Sequence, residues 1–287
     1  MSLQNPDAYQ HTSGGGAPGT RARVIAIANQ KGGVGKTTTA INLATALAAC
    51  EKRVLMLDLD PQGNASTGLG IDTAARANGI YPVIVEGADL AERVIGTLVP
   101  GMFICPAGVE LSAAEIELID LPRREFRLKD ALASVVEHYD FVIVDCPPAL
   151  GLLTLNALVG ADAVIVPLQT EFYALEGLSH LIRTVERVKQ GLNPKLELQG
   201  IVLTMYDRRN NLCRLVAEDV RAHFGARVYN SVIPRNVRVS EAPSHGKPAL
   251  LYDLRCPGSR SYIRLAGEVL RQEAARQAGL RNEALAS

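Results

Sequence analysis

Six short and nearly uninterrupted apolar runs limit the folds open to this chain of 287 residues. The runs are VIAIAN, RVLMLD, MFICPA, FVIVDC, AVIVPL and GIVLTM, at positions 24–29, 53–58, 102–107, 141–146, 163–168 and 200–205. Amphipathic stretches separate them, among them TTAINLATALAAC, EFRLKDALASVVEHY and LSHLIRTVERVKQGL. Strands that are apolar throughout are typical of a parallel sheet covered on both faces. The alternation predicts an α/β fold with a doubly wound, mostly parallel sheet.

The domain organisation predicted from the sequence is simple. Residues 1–22 are rich in glycine, serine and proline and predict a flexible N-terminal tail without the apolar stretch of a signal peptide. We expect one domain over 23–275 and a C-terminal tail over 276–287. The stretch 71–100 has too weak a periodicity to assign.

Composition excludes some function classes. Lysine plus arginine balance aspartate plus glutamate at 30 each, so the chain as a whole is not a polycation. The five cysteines lack C-x-x-C spacing and favour reduced thiols over a disulfide framework or a zinc site. No apolar run approaches the roughly 18 residues of a membrane-spanning helix. We therefore expect a cytoplasmic protein that does not bind membranes.

Polar motifs follow five of the six apolar runs. NQKGGVGKT follows the first, DLDPQGN the second, DCPP the fourth, PLQTEFYALEG the fifth and TMYDRRN the sixth. Ligands of such sheets bind beyond the carboxyl ends of the strands, which all meet at one edge. These motifs are therefore expected to converge on one site.

The stretch KGGVGKT at 31–37 predicts a phosphate-binding loop between a strand and a helix. It departs from the usual G-x-x-x-x-G-K-[ST] pattern, because Gln30 stands where the first glycine should be. Lys36 is expected to reach the β- and γ-phosphates, and the Thr37 hydroxyl to bind Mg²⁺. A second lysine, Lys31, has no place in the usual pattern. The other predicted nucleotide contacts of the loop are Gly32, Gly33, Val34, Gly35 and Thr38.

Three aspartates end the second and fourth apolar runs. Asp58 and Asp60 flank Leu59 and so point to one side of an extended backbone. Beside a triphosphate they would repel it unless Mg²⁺ or water lay between. Asp58 could equally cap the following loop. Asp145 closes FVIVD, the Walker B pattern, and is expected to hold Mg²⁺ through a coordinated water or through Thr37.

The loop with its second, upstream lysine resembles the deviant phosphate loop of the ParA/MinD/Soj ATPases. The resemblance continues through VLMLDLDPQGNASTGLG, FVIVDCPPALGLLTLNAL, VPLQTEFYALEG, TMYDRRNNL and IPRNVRVSEAPSHGKPALLYD. It spans roughly residues 23–270 and is strongest with the ParA/Soj branch, the chromosome- and plasmid-partitioning ATPases.

The resemblance implies a P-loop NTPase fold and assigns roles to the loop and the aspartates. Lys31 would reach across an ATP-sandwich homodimer to the phosphates of the facing subunit, which makes it catalytic together with Lys36 and Asp60. Asp60 would orient or activate the attacking water and could also contact Mg²⁺. Such a trans lysine would couple dimerisation to ATP, because ADP has no γ-phosphate to bridge.

The nucleotide is expected to be ATP, since the N-K-x-D motif of GTPases is absent from the sequence. By resemblance, the adenine would lie against the IPRN segment, with Pro234 and Asn236 as contacts and Met205 nearby.

A local excess of basic residues lies in the C-terminal third. Residues 205–260 hold ten lysines and arginines but five acidic residues. The resemblance implies that Arg209 and Arg238 bind duplex DNA without sequence preference in the ATP-bound dimer. It also implies a ParB-type centromere-binding partner that stimulates slow hydrolysis, and a nucleoid-associated protein. A solvated basic face with ordinary ion pairs would have the same composition.

Two other functions would each require a sequence feature of their own. A MinD-like positioning ATPase that acts on membrane or protein cargo would need a C-terminal amphipathic helix with bulky apolar residues. The C-terminal stretch YIRLAGEVLRQEAARQAGLRNEALAS has mostly alanines on its apolar side. A redox protein like the nitrogenase iron protein would need cysteines that hold a cluster, and neither Cys105 nor Cys146 stands in a recognisable ligand setting.

Overall fold

The computed structural model describes residues 21–286. Most of the predicted flexible tail, residues 1–20, lies outside this range. The strands are β1 (Arg23–Ile27), β2 (Val54–Asp58), β3 (Ile95–Gly96), β4 (Met102–Cys105), β5 (Phe141–Asp145), β6 (Ala163–Gln169), β7 (Glu197–Tyr206) and β8 (Val228–Pro234).

The α-helices include several of a single turn and one of 30 residues. They are α1 (Lys36–Ala49), α2 (Asn64–Gly68), α3 (Thr73–Arg76), α4 (Ile80–Val85), α5 (Leu111–Glu117), α6 (Arg127–Leu132), α7 (Leu152–Gly160), α8 (Ala174–Gly191), α9 (Asn211–Phe224), α10 (Val237–Glu241), α11 (Ala249–Tyr252) and α12 (Pro257–Ala286). Within residues 21–286, none of these helices combines the length and the apolar character needed to cross a bilayer.

The strands form one eight-stranded sheet in the order β3-β4-β2-β5-β1-β6-β7-β8. All neighbours pair in parallel except β3 and β4, which are antiparallel. The predicted doubly wound, mostly parallel sheet is confirmed. β1 lies between β5 and β6, so the loops that follow these three strands are adjacent at the carboxyl edge.

Alternate residues of each strand enter two separate cores, one on each face of the sheet. In β1, Val24 and Ala26 pack into one core, whereas Ile25 and Ile27 pack into the other. Helices α4 to α9 cover the first face, and α1, α10, α11 and α12 cover the second. Burial on both faces explains why β2, β4, β5 and β6 carry no polar residue before their last position.

The edge strand β8 is a strand that the apolar runs did not reveal. Its sequence VYNSVIP is interrupted by Asn230 and Ser231. Glu268 of α12 accepts hydrogen bonds from the backbone N–H of both residues, at 2.8 and 2.7 Å. A carboxylate from a helix thus satisfies an edge that has no further strand beside it.

The lengths of some predicted elements differ from those in the structure. The amphipathic stretch 125–139 forms a helix over Arg127–Leu132, followed by turns. The unassigned stretch 71–100 forms α3, α4, a 3-10 turn and the short strand β3. Helix α12 continues without a break past residue 275. The predicted domain bounds stay a prediction, although Ala22 is already buried.

Candidate functional site

The glycine-rich loop joins β1 to α1, which begins at Lys36. Gly33 and Gly35 have φ angles of 75° and 88°, a left-handed conformation that glycine adopts without strain. The buried Thr204 of β7 donates its Oγ1 hydroxyl to the Val34 carbonyl at 2.8 Å, which fixes the loop against the sheet. No side chain caps the N-terminus of α1. The first backbone N–H groups of this helix are therefore available to an anion.

The Lys36 ammonium lies inside the loop. Its side chain is buried, and Nζ donates a hydrogen bond to the Lys31 carbonyl at 2.9 Å. Burial lowers the pKa of Lys36, and the charge of Asp145 counteracts part of that decrease. A cation that is partly desolvated and held at a loop of backbone N–H groups favours a phosphate ligand.

Lys31 is held at three points. Its backbone N–H donates to Asn29 Oδ1 at 3.0 Å, and the Asn29 amide donates to the Pro167 carbonyl of β6 at 2.7 Å. Its carbonyl accepts from Lys36, and its ammonium forms an ion pair with Glu171, two residues beyond β6.

Asp145 is a buried carboxylate without a partner. It lies at the end of β5, in register with Asp58 of β2 and Ile27 of β1. Neither carboxylate oxygen has a hydrogen bond within the described residues. Burial and the neighbouring Asp58 raise the pKa of Asp145 well above its ordinary value, while Thr37 and Lys36 counteract part of the increase. Two orphaned carboxylate oxygens beside a threonine hydroxyl fit a magnesium ion with its coordinated water.

Asp58 differs from Asp145 because its carboxylate is hydrogen-bonded. It accepts from the Ser66 N–H at 2.8 Å, the Ser66 hydroxyl at 2.7 Å and the Asp60 N–H at 3.3 Å. Burial nevertheless raises the pKa of Asp58 to about 6. These contacts hold the loop between β2 and α2, so they favour the loop-capping interpretation of Asp58.

Asp60 lies at the turn that follows. It is 6% exposed, and its Oδ1 accepts from the Gln62 N–H at 3.0 Å. Its Oδ2 makes no hydrogen bond within residues 21–286, and its charge acts on Lys36. One oxygen of Asp60 is thus free to accept a hydrogen bond from a water molecule, as the predicted water-orienting role requires.

A cavity of about 400 Å³ opens beside the loop, between the ends of β7 and β8. It contains five of the predicted nucleotide contacts, namely Gly35, Thr38, Met205, Pro234 and Asn236. Its other lining residues are Thr204, Ile233, Arg235, Val237, Val239, Ser240 and Tyr262. A mostly apolar cavity next to a phosphate loop suits a nucleobase.

Two of the cavity residues have constrained conformations. Met205 has a φ of 50°, which is unusual for a residue other than glycine. Asn236 caps α10, and its Oδ1 accepts from the Val239 N–H at 3.3 Å. Its amide N–H₂ group makes no hydrogen bond within the described residues, so it can still donate to a ligand.

The two predicted DNA-binding arginines lie on adjacent segments. Arg209 follows β7 with a side chain that is 91% exposed, and its guanidinium pairs with Asp207 at 3.0 Å. Arg238 lies in α10 after β8 and pairs with Glu241 at 3.1 Å. Both are therefore partly neutralised. Within residues 205–260, the exposed basic residues for which no ion pair is found are Arg208, Arg227, Arg235, Lys247, Arg255 and Arg260.

Residues that the sequence patterns did not single out also contribute. Thr204 and Glu171 stood within motifs that follow strands, so their position was a usable signal. No such signal marked Tyr262 of α12, because its hydroxyl contacts Thr39 of α1, 223 positions away in the chain, at 3.3 Å. The assigned roles of all site residues stay predictions.

Comparison with known proteins places the chain among relatives of similar length. The AAA domain family model AAA_31 matches residues 22–198. The chromosome partitioning protein ParA of Caulobacter vibrioides is 60% identical over 258 residues, which are 89% of this chain and 97% of that protein. The sporulation initiation inhibitor protein Soj of Bacillus subtilis is 53% identical over 247 residues, covering 86% of this chain and 98% of its own.

Among solved structures, cobyrinic acid a,c-diamide synthase of Mycobacterium smegmatis superposes with a TM-score of 0.78 at 38% identity. The match covers 88% of this chain and 96% of that one, and the enzyme was solved with ADP and magnesium and with an ATP analogue and magnesium. Sequence identity over nearly the full length of the relatives, together with the two-lysine loop and the sheet order, leads to one conclusion. The chain belongs to the ParA/Soj family of partitioning ATPases.

Proposed function

We propose that this protein is a Mg²⁺-dependent ATPase switch that dimerises around ATP, binds duplex DNA without sequence preference and drives DNA segregation. The observation that carries the proposal is the meeting of Lys31, Lys36 and the unpartnered Asp145 at one sheet edge. ATP hydrolysis would be slow in the free protein and stimulated by a ParB-type partner, as the family suggests.

The loop and the cavity together support ATP as the ligand. Phosphates would lie against the N-terminus of α1 and the Lys36 ammonium, and the adenine in the adjoining cavity of about 400 Å³. Thr37 and Asp145 would hold Mg²⁺, which when bound neutralises charge on the phosphate oxygens. Asp60 would orient the attacking water through its free oxygen. The Mycobacterium smegmatis structures with magnesium and ADP or an ATP analogue support this assignment.

Dimerisation is proposed from Lys31. Its ammonium pairs with Glu171 after β6, and the Lys31 side chain is 47% exposed. A lysine in that place can reach the phosphates of a facing subunit. Two such lysines would bind the γ-phosphates of two ATP molecules, which explains how ATP would favour the dimer over ADP.

DNA binding is proposed from the adjoining basic residues. The segments that precede Arg209 and Arg238 meet through a hydrogen bond from the Arg235 N–H to the Tyr206 carbonyl at 3.1 Å. A dimer would present this surface twice, so ATP could control DNA affinity without remodelling either subunit. Phosphate contacts of this kind are sequence-independent. Nucleoid association in the cytoplasm follows from this proposal.

Sedimentation velocity tests the switch. The wild type is expected to be monomeric with ADP and dimeric with ATP plus Mg²⁺. Lys31→Ala is expected to stay monomeric with ATP while it still binds the nucleotide through Lys36. Lys189→Ala removes an exposed lysine of α8 and serves as the matched control, with wild-type behaviour. ATP-induced dimerisation of Lys31→Ala would contradict the proposal.

A further inference from the structure

We propose that Glu171 is a positioning residue that holds Lys31 back in the single subunit, so that dimerisation around ATP requires release of this ion pair. The inference rests on the proposed function and deepens it, because it names what opposes the switch. Lys31 would then exchange one anionic partner for another: the Glu171 carboxylate in the monomer and the phosphate of a facing subunit in the dimer.

The pair joins loops that follow neighbouring strands. Lys31 follows β1 and Glu171 follows β6, and the two strands are hydrogen-bonded in register from Ile25 to Ile27. The bond from Asn29 to the Pro167 carbonyl ties the same two segments together one step deeper in the sheet. The ion pair is therefore a consequence of the strand order and not of a chance surface contact.

The strength of the pair suits a releasable contact. The side chains of Lys31 and Glu171 are 47% and 30% exposed, so water screens their attraction. Half-exposed ion pairs of this kind shift equilibria by roughly 1.4- to 5-fold. A buried ion pair would be costly to break, whereas this half-exposed pair is weak enough for a phosphate to displace Glu171 from Lys31.

Nucleotide binding would loosen Lys31 at a second point. In this structure the Lys36 ammonium donates to the Lys31 carbonyl at 2.9 Å. A phosphate bound in the loop attracts the same ammonium, which removes that bond. ADP and ATP both do this, but only ATP in a facing subunit offers the γ-phosphate that competes with Glu171 for Lys31. The release from Glu171 is therefore the step that depends on the γ-phosphate.

The test is the dimer dissociation constant, measured by sedimentation velocity with a slowly hydrolysed ATP analogue and Mg²⁺. Glu171→Gln removes the charge and keeps the shape, and both subunits of the dimer lose the opposing contact. We expect the dimer constant to become about 2- to 25-fold tighter, the square of the effect of a single pair. Glu171→Asp keeps the charge on a shorter side chain, so its dimer dissociation constant should lie between those of the wild type and Glu171→Gln.

Three controls separate this role from a general structural effect. Glu186→Gln makes the same charge change at an exposed position of α8 and should leave the constant unchanged. Glu171→Gln with ADP should stay monomeric, because no γ-phosphate is present. The double variant Lys31→Ala/Glu171→Gln should stay monomeric with the analogue, because the gain passes through Lys31.

Failure of the inference and failure of the proposed function give different results. If the wild type dimerises but Glu171→Gln dimerises more weakly or equally well, Glu171 does not hold Lys31 back, and the proposed function stands. If the double variant dimerises, the effect does not pass through Lys31, and the inference is again wrong. If the wild type itself stays monomeric with the analogue, the proposed function falls and the inference falls with it.

Discussion

Replacement of Asp145 by asparagine should stabilise the nucleotide-free protein and abolish the proposed magnesium site. The reason is the cost of burying a carboxylate that has no hydrogen-bond partner. Burial raises the pKa of Asp145 well above its ordinary value of 3.8, so the native state resists ionisation. An asparagine has nearly the same shape and no charge to desolvate.

The size of the effect can be bounded. At pH 7 the native protein can avoid a buried charge by protonating Asp145. Protonation of a carboxyl group with the ordinary pKa of 3.8 costs about 4 kcal/mol at pH 7, at 1.36 kcal/mol per pH unit, and this is the most that the buried charge can cost. The asparagine amide would itself be buried without partners, which costs about 1–3 kcal/mol. The net gain in the free energy of unfolding is therefore at most about 1–3 kcal/mol. At about 2–4 °C per kcal/mol, the Tm should rise by at most about 2–12 °C.

The raised pKa of Asp145 also determines how wild-type stability changes with pH. Because the native pKa exceeds the unfolded one, the native state binds more protons between the two values, and wild-type stability falls as the pH rises through that window. The gap between Asp145→Asn and the wild type should thus be smallest near pH 4 and grow toward neutral pH.

Thermal unfolding in EDTA without nucleotide measures this gap. Asp162→Asn is the control, because the Asp162 carboxylate accepts bonds from Arg21 and the Val24 N–H and its loss should destabilise. Mg²⁺ should add to the Tm increase that ATP gives the wild type, and should add little to the increase that ATP gives Asp145→Asn. An Asp145→Asn protein less stable than the wild type at pH 7 would refute the reasoning.

Three further predictions follow from the site. Asp60→Ala should bind ATP and hydrolyse it at least ~100-fold more slowly, since it loses the water-orienting carboxylate, and gel-shift assays with ATP should show a persistent complex with duplex DNA. Arg209→Glu should bind nucleotide as the wild type does but lose DNA affinity and lower the salt dependence of binding by about one phosphate contact, whereas Arg187→Glu on α8 should do neither. Ser66→Ala should lower the free energy of unfolding by about 1–3 kcal/mol in urea titrations, because Asp58 loses the hydroxyl that bonds to it at 2.7 Å.

The sheet could be predicted because strands that are buried on both faces appear in the sequence as nearly uninterrupted apolar runs. Runs such as FVIVD at the centre of the sheet leave little ambiguity. β8 has polar residues at Asn230 and Ser231, and it becomes a strand because α12 supplies Glu268 to its edge. That contact joins positions 37 and 38 residues apart, which no local pattern reveals.

The site was predictable where its chemistry is local. The phosphate loop and Asp145 carry their own signature, and the structure brings both to the carboxyl edge. The partner of Lys31 was not predictable, because Glu171 reaches it through the pairing of β1 with β6. The same holds for Tyr262, which lines the cavity beside the glycine-rich loop because α12 packs on α1.

The most direct test of the account is duplex-DNA binding by the wild type with ATP, with ADP and without nucleotide, across a salt series. The account predicts binding with ATP alone, with an affinity that falls steeply as salt increases, because the contacts are to phosphates. Equal DNA binding in all three states, or none in any of them, would contradict an ATP-controlled DNA switch.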